Sequence, residues 1–400
     1  MSESGMGDNP FGGLPFFGDM MKAMSGQGPL NWDIARQFAL MGVGSDTATV
    51  NVDPAARIAI EQLSPIAQMH VADVLGLDLG AFGASISLES VTPAQWCHFT
   101  LDAYKPLFNE LAQALSDAAN GNSANGGVES ELESHDPMMA MMRNLSGVMA
   151  PAMLGMAVGS MVGQLAGKAF GQYDLLLPRE PRNRVLVVPS NVDSFASDWS
   201  LPVQDMRMWV LVREFVSHGV LCVPHIREAL LRAVEHHVRA FRPDPGAAFE
   251  RMSDFELDPS NPMGALQEAF SNPEVLLGAV ISPEQEAMMP TLDALLATLV
   301  GLIDWAVDMV AQRLLGGATP IAEAVRRRRI EASTADRFVE HLLGIHYTRA
   351  LVTRGRAFVE GVLDRSTSEN LLKLLQQPDA LPTPAEVDAP GLWLARLGLD

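Results

Sequence analysis

Cysteine is nearly absent from this chain. The two cysteines in 400 residues, Cys97 and Cys222, are isolated, with no CxxC pair and no ladder of spacings. That excludes a disulfide framework and points to a reducing, cytoplasmic setting. Basic residues are also short, with 28 Lys and Arg against 48 Asp and Glu, a formal net charge of −20. So acidic a surface repels nucleic acid and anionic membrane, and neither is expected as a partner. The N-terminus, MSESGMGDNPFGGLPFFGDMM, lacks the basic region and continuous apolar run of a signal peptide. No glycine-rich phosphate loop follows a strand, and no serine sits in a nucleophile elbow.

What is present is apolar sequence. Hydrophobic residues make up 48% of the chain, enough for a large core in one big domain or two. The 22 methionines read as adaptable core filling.

The pattern is mainly α, with one or two short strands. Residues 1–28 read as a mobile arm rich in Gly, Met and Phe. Residues 29–119 form a helical region. Asn31 caps a short helix, Asp53-Pro54 starts a longer one that Pro65 kinks or splits, and Thr92-Pro93 starts a third running to about Ala119. Residues 120–135 are a polar, acidic linker. Residues 136–377 form a second helical domain, and 378–400 a Pro-rich tail holding Trp393. RVLVV at Arg184–Val188 is the clearest strand. Helices are also expected over about 290–315, from Thr319, over 333–364 and over 368–377.

Gly155, Gly159, Gly163, Gly167 and Gly171 recur every four residues. On one helix they form a stripe that lets a second helix approach closely. The uncharged run from Leu145 to Gln164 is long enough to span a bilayer. Its Ala and Gly content, its flanks without basic clusters or aromatic belts, and Lys168 favour a packed soluble helix.

The stretch from Met206 to Arg242 organises the rest. Its first half is apolar on nearly every face yet carries Arg213, Glu214 and His218. A helix apolar all round is buried, and buried charges must pair or bind something. Glu214 and His218 are four apart and share a face, as a metal or acid–base pair or as a self-satisfied ion pair. Asp304 and Asp308 share a face of a second apolar helix, where one can reach His218 or simply pair with an Arg. His236 and His237 point about 100° apart, so at least one faces solvent. Arg326–Arg329 spread round their helix as a solvated face.

Several blocks resemble a known family. GQYDLLLP at 171–178, RVLVVPSNVDSFASDW at 184–199 and MWVLVREFVSH at 208–218 follow one another as in the zincin-like hydrolases of actinobacteria. That family is labelled zinc-dependent metalloprotease and has a sister branch associated with deazaflavin coenzyme biosynthesis. NWDIAR at 31–36, LVGLIDWAVDMV at 299–310 and AVRRRRIEASTADRFVEHLLGI at 324–345 extend the resemblance over most of the chain.

The resemblance implies a multi-helix zincin-like fold with an active helix. In zincins, HExxH places two His on one zinc with the Glu between them as general base, and a later carboxylate joins them. Here HExxH falls on Arg213-Glu214-Phe215-Val216-Ser217. Only Glu214 matches. Arg213 and Ser217 occupy the ligand positions, His218 comes one residue late, and the later carboxylate falls on Asp304. Arg cannot deprotonate to serve as a ligand. The expectation is therefore a degenerate site without zinc, in which Arg213 pairs with Asp304, in a protein that binds a peptide or small molecule. The rival is a working zinc hydrolase with His218 and Asp304 as ligands and Glu214 as base, joined by His236 or His237.

Overall fold

The computed structural model describes residues 28–43, 51–79, 86–121, 137–180, 182–243, 279–280, 282–316, 319–330, 339 and 342–399. Residues 1–27 of the expected arm, 122–135 of the expected linker, 244–278, 331–338 and His341 lie outside these residues. Mainly α is what the chain adopts, with two short two-stranded pairings.

Helix α1 (Trp32–Val43) is capped by Asn31, whose Oδ1 accepts from Ile34 N at 3.1 Å. Helix α2 (Pro54–Leu75) is capped by Asp53 and runs unbroken through Pro65, so that proline does not split it. Strand β1 (Ser87–Ser90) follows, then α3 (Pro93–Ala103) with a Thr92–Gln95 capping box, and α4 (Lys105–Gly121). The break between α3 and α4 falls at Tyr104, two residues before Pro106. Proline restricts the residue before it and lacks an amide hydrogen, so the interruption lies upstream of the ring.

Helix α5 (Pro137–Ala166) carries the glycine stripe, and α1 lies against it. A Cβ on Gly155 would stand 2.5 Å from Asn31 O, and one on Gly159 or Gly163 would meet Ala35 O or Ala39 O as closely. The stripe is thus a helix-crossing surface as expected, but α5 ends at Ala166. Gly167 and Gly171 lie beyond it, and Gly171 serves another purpose.

Strand β2 (Arg184–Val187) pairs in parallel with β1, with Ser87 opposite Arg184 and Ser90 opposite Val187. Helix α6 (Pro189–Asp198) leads to α7 (Val203–Leu221) and, after a turn at Val223, α8 (Pro224–Arg239). Two-residue strands β3 (Arg242–Pro243) and β4 (Ala279–Val280) pair antiparallel. Helix α9 (Pro283–Leu315) starts at a Ser282–Gln285 capping box and stops at left-handed Gly316. Among the described residues it alone is long and apolar enough to cross a membrane, and 78% of that apolar window is buried inside the protein.

Helix α10 (Thr319–Ile330) precedes α11 (Arg349–Leu363). Residues 344–348 are not helical, so His346 sits in a loop, with Gly344 at φ +67° supplying the turn. The region expected as a short helix over 368–377 is two single turns, α12 (Ser368–Leu371) and α13 (Lys373–Gln376). The C-terminus is not a tail. A 3₁₀ turn (Pro378–Ala380), α14 (Pro384–Asp388) and α15 (Pro390–Leu397) fold back, and Trp393 is fully buried with its indole donating to Ala380 O at 2.6 Å.

One core joins these elements, from Leu30 on the α1 side to Trp393 and Leu394. Helix α7 runs through its middle, against α2, α6 and α9.

Candidate functional site

Every residue of α7 from Met208 to Leu221 is buried, Arg213, Glu214, Ser217 and His218 included. Arg213, Glu214 and His218 meet partners from the segment 170–174, which threads between β2 and α7. Val188 N donates to Phe170 O at 2.8 Å and Gln172 N to Leu186 O at 3.0 Å, which ties the segment to β2. Asp174 Oδ2 accepts from Gly171 N at 3.0 Å and from Phe170 N, closing a tight turn. Trp96 Nε1 donates to Gly171 O at 2.7 Å from the other side.

Gly171 is where that turn meets α7. A Cβ there would stand 2.5 Å from Glu214 Cδ and 2.7 Å from Oε2. Only glycine leaves room for the carboxylate. Tyr173 N donates to Glu214 Oε2 at 2.9 Å. Glu214 Oε1 makes no hydrogen bond and faces Arg213 Nη1 at 3.6 Å, and that same nitrogen stands 3.8 Å from Asp174 Oδ1. Burial pushes the Glu214 carboxyl up to about 7, against the lowering influence of Arg213. Burial works against the Arg213 charge too, but Asp174 and Glu214, then Tyr347 and Asp304, outweigh it and hold the guanidinium above its ordinary value.

His218 does not pair with Glu214. Its Nδ1 shares a 2.8 Å hydrogen bond with the Tyr173 hydroxyl, and Cys222 Sγ lies 3.7 Å from both ring nitrogens. Burial pushes His218 down to about 4, so the ring is neutral at pH 7. Tyr173 therefore serves both residues, through its amide to Glu214 and its hydroxyl to His218.

The carboxylates of α9 lie elsewhere. Arg213 has its ion pairs with Asp174 and Glu214, and Asp304 reaches it only as a more distant charge; the expected Arg213–Asp304 pair does not form. Sequence spacing could not reveal this, because Asp174 arrives on a loop. Asp304 and Asp308 line a cleft of about 660 Å³ between α9, α10 and α11, with Trp305, Met309 and Arg349. Asp308 pairs there with Arg326 at 3.1 Å. His236 is exposed beside Glu284, and the His237 ring packs near Gln285 on α9. Neither joins His218.

Whether this constellation fits a catalytic zinc ion can be judged from its donors. Such an ion needs about three neutral or anionic protein ligands and an open position. Here a guanidinium occupies the centre, Ser217 Oγ is buried without a hydrogen-bond partner, and His218 turns to Tyr173. Among the described residues no group of three or more His, Cys, Asp or Glu is placed to hold a metal ion. The donors do not fit.

The fold is mainly helical and built around one central buried helix. The profile of the zincin-like metallopeptidase family matches residues 30–394, and the chain belongs to that family. No curated protein matches it. A solved structure from Chloroflexus aurantiacus, described as "a putative hydrolase with a novel fold", shares the fold at a TM-score of 0.57 and 20% identity, covering 93% of this chain and 99% of that one.

The residues that sequence reasoning missed are Gly171, Tyr173 and Asp174. They lie in the GQYD block that helped carry the resemblance, but no spacing within one element ties them to α7. Cys222, one turn after His218, was in view and had no assigned role.

Proposed function

We propose that this chain is a zincin-like protein in which a buried charge cluster stands where the family holds its catalytic metal, and that it works by binding rather than by zinc-dependent hydrolysis. The reading places the family's HExxH on Arg213–Ser217, with Arg213 and Ser217 in the ligand positions. One observation carries it: Arg213 Nη1 lies 3.6 Å from Glu214 Oε1 and 3.8 Å from Asp174 Oδ1, between buried α7 and the loop 170–174. A permanent cation there repels a metal ion and neutralises the would-be base. Glu214, clamped by Tyr173 N against Gly171, faces no solvent from which to draw a water.

The ligand is a peptide or small molecule, and the cleft beside Asp304 is its place, since it combines an apolar wall from Trp305 and Met309 with charged groups of both signs. Two free cysteines support a cytoplasmic setting.

Metal analysis of the purified, untagged protein tests the central point. Zinc far below one per chain after dialysis is expected. About one retained zinc per chain, the stoichiometry of a catalytic site, overturns the proposal. The double substitution Arg213→His with Ser217→His restores HExxH, and it is expected to raise zinc affinity above that of the parent protein.

A further inference from the structure

A second buried arginine lies outside the α7 cluster. Arg179 is only 8% exposed. Its Nη2 donates to Thr100 Oγ1 at 2.9 Å and to Gln172 O at 3.4 Å, and its Nη1 to Phe99 O at 3.5 Å. Its guanidinium stacks over the Tyr104 ring at 5.2 Å. Every one of these partners is neutral, and its buried Nε makes no hydrogen bond. Arg213 shows the usual solution for an interior guanidinium, which is paired carboxylates. Arg179 has none within ion-pair distance among the described residues, and an uncompensated interior cation is costly.

Arg179 lines a pocket of about 440 Å³. Arg182 and Arg184 stand at the same pocket, and Phe99, Pro106 and Leu186 give it an apolar wall. Asp102 and Glu180 also line the pocket, and these two carboxylates and Glu89 beside it are engaged by other cations. Asp102 meets Arg36 at 3.4 Å and His98 at 3.3 Å, Glu180 meets Arg182 at 3.4 Å, and Glu89 meets Arg184 at 2.8 Å. Arg184 also stacks on Phe99 at 4.6 Å, which fixes it over the wall. In a chain of net charge −20, three arginines gathered round one pocket, the innermost without a counter-charge, run against the composition.

We infer that this pocket is an anion-recognition site for a small ligand that carries an oxyanion, carboxylate or phosphoryl, on an apolar body. The guanidinium fork matches both groups. The oxyanion supplies the charge that Arg179 lacks, Arg182 closes over it from the rim, and the body rests on Phe99 and Leu186. The site is separate from the Glu214 cluster, which Arg179 influences only through its distant charge.

Calorimetric titration of the full-length protein with benzoate, inorganic phosphate and benzylamine tests this. Saturable binding of benzoate or phosphate, but not of benzylamine, is expected. A preference for benzoate identifies a carboxylate ligand, and a preference for phosphate a phosphoryl one. Arg179→Lys keeps the charge and loses the fork, and Arg182→Gln alters only the exposed rim; each is expected to weaken binding by roughly tenfold, the worth of one charge-assisted contact. Should Arg179→Lys fail to fold, Arg182→Gln decides. Absence of saturable binding by both anions, equal binding of benzylamine, or unchanged affinity in Arg182→Gln overturns the inference.

Discussion

Helices α7 and α9 meet the same difficulty and resolve it in opposite ways. Both are apolar on nearly every face and both carry carboxylates. In α7 the charges point into the core and are closed off by a loop, with Gly171 making room, Tyr173 holding Glu214, and Asp174 joining Arg213. In α9 the two aspartates line a cleft, where exposed Asp308 pairs with half-buried Arg326. A zincin site joins a carboxylate from a later helix to the active helix. On the reading proposed above, those two halves correspond to the buried α7 cluster and the cleft beside α9. Charge that is locked to fixed neighbours sustains the fold, while the α9 carboxylates keep neighbours of their own and also border open space.

The comparison can be broken most forcefully at Arg213. Arg213→Met leaves Glu214 buried without its counter-charge, and loss of one partner from a buried pair costs about 3–5 kcal/mol. Urea unfolding should show that loss as a lower midpoint with an unchanged slope. A change below about 1 kcal/mol, the scale of a surface pair, would show that the cluster is not a locked one.

Gly171→Ala comes next. Its new Cβ must displace the Glu214 carboxylate, and overpacking of this kind costs about 1–3 kcal/mol. A crystal structure of that variant should show Glu214 moved off Tyr173 N. An unmoved Glu214 would mean that the backbone yields instead.

The pH dependence sharpens the α7 side. Glu214 rises from 4.5 to about 7 in the folded protein, so the native state holds a proton there that the unfolded chain has released. Its contribution to stability therefore falls as pH rises from 4.5 to about 7. His218 drops from 6.5 to about 4, and its contribution is lost as pH falls through that window. The two slopes oppose each other where the windows overlap. Glu214→Gln should remove the falling component and leave stability rising from about pH 4 to 6.5, measured by urea unfolding across that range. Superimposable profiles for the two proteins would contradict the burial of Glu214.

The smallest effect belongs to α9. Arg326→Ala removes a pair that is largely solvated, and its cost should stay below about 1 kcal/mol. A loss as large as that of Arg213→Met would erase the distinction between the two helices.

Much of this was legible from local signals. Asn31, Asp53-Pro54 and Thr92-Pro93 marked helix starts because capping is a matter of a few adjacent residues. The unbroken apolar run of α7 announced its burial. The glycine spacing announced a close helix crossing, though not that α1 would supply the partner. The arginine run expected as a solvated face pairing with carboxylates is so only in part: Arg326 and Arg327 meet carboxylates, but Arg328 stacks over buried Phe170, because consecutive helix positions point in different directions and one of them faces the body. Strand β1 was invisible because SLES has no β-branched or alternating apolar pattern, and only its pairing with β2 makes it a strand. The partner of Arg213 was hidden for a similar reason. Asp174 is close to it only because Gly171 and β2 bring the loop there, and no periodicity within a single element encodes a loop's arrival. The Pro-rich C-terminus read as a tail because proline frequency marks breaks between turns and says nothing of what those turns pack on.

That last segment bears on the order of synthesis. Trp393 fills the space beside Phe358 of α11, at 5.6 Å between ring centroids, and α11 in turn crosses α9 with Gly355 seated on Ala297 O. The side chain that completes this half of the interior follows Leu363, the last residue of α11, by thirty residues. The Phe358 face of α11 therefore cannot reach its final packing until the chain has been made through Trp393. Truncated products ending before α14 would expose the Phe358 face, and cells have reason to treat them as unfinished.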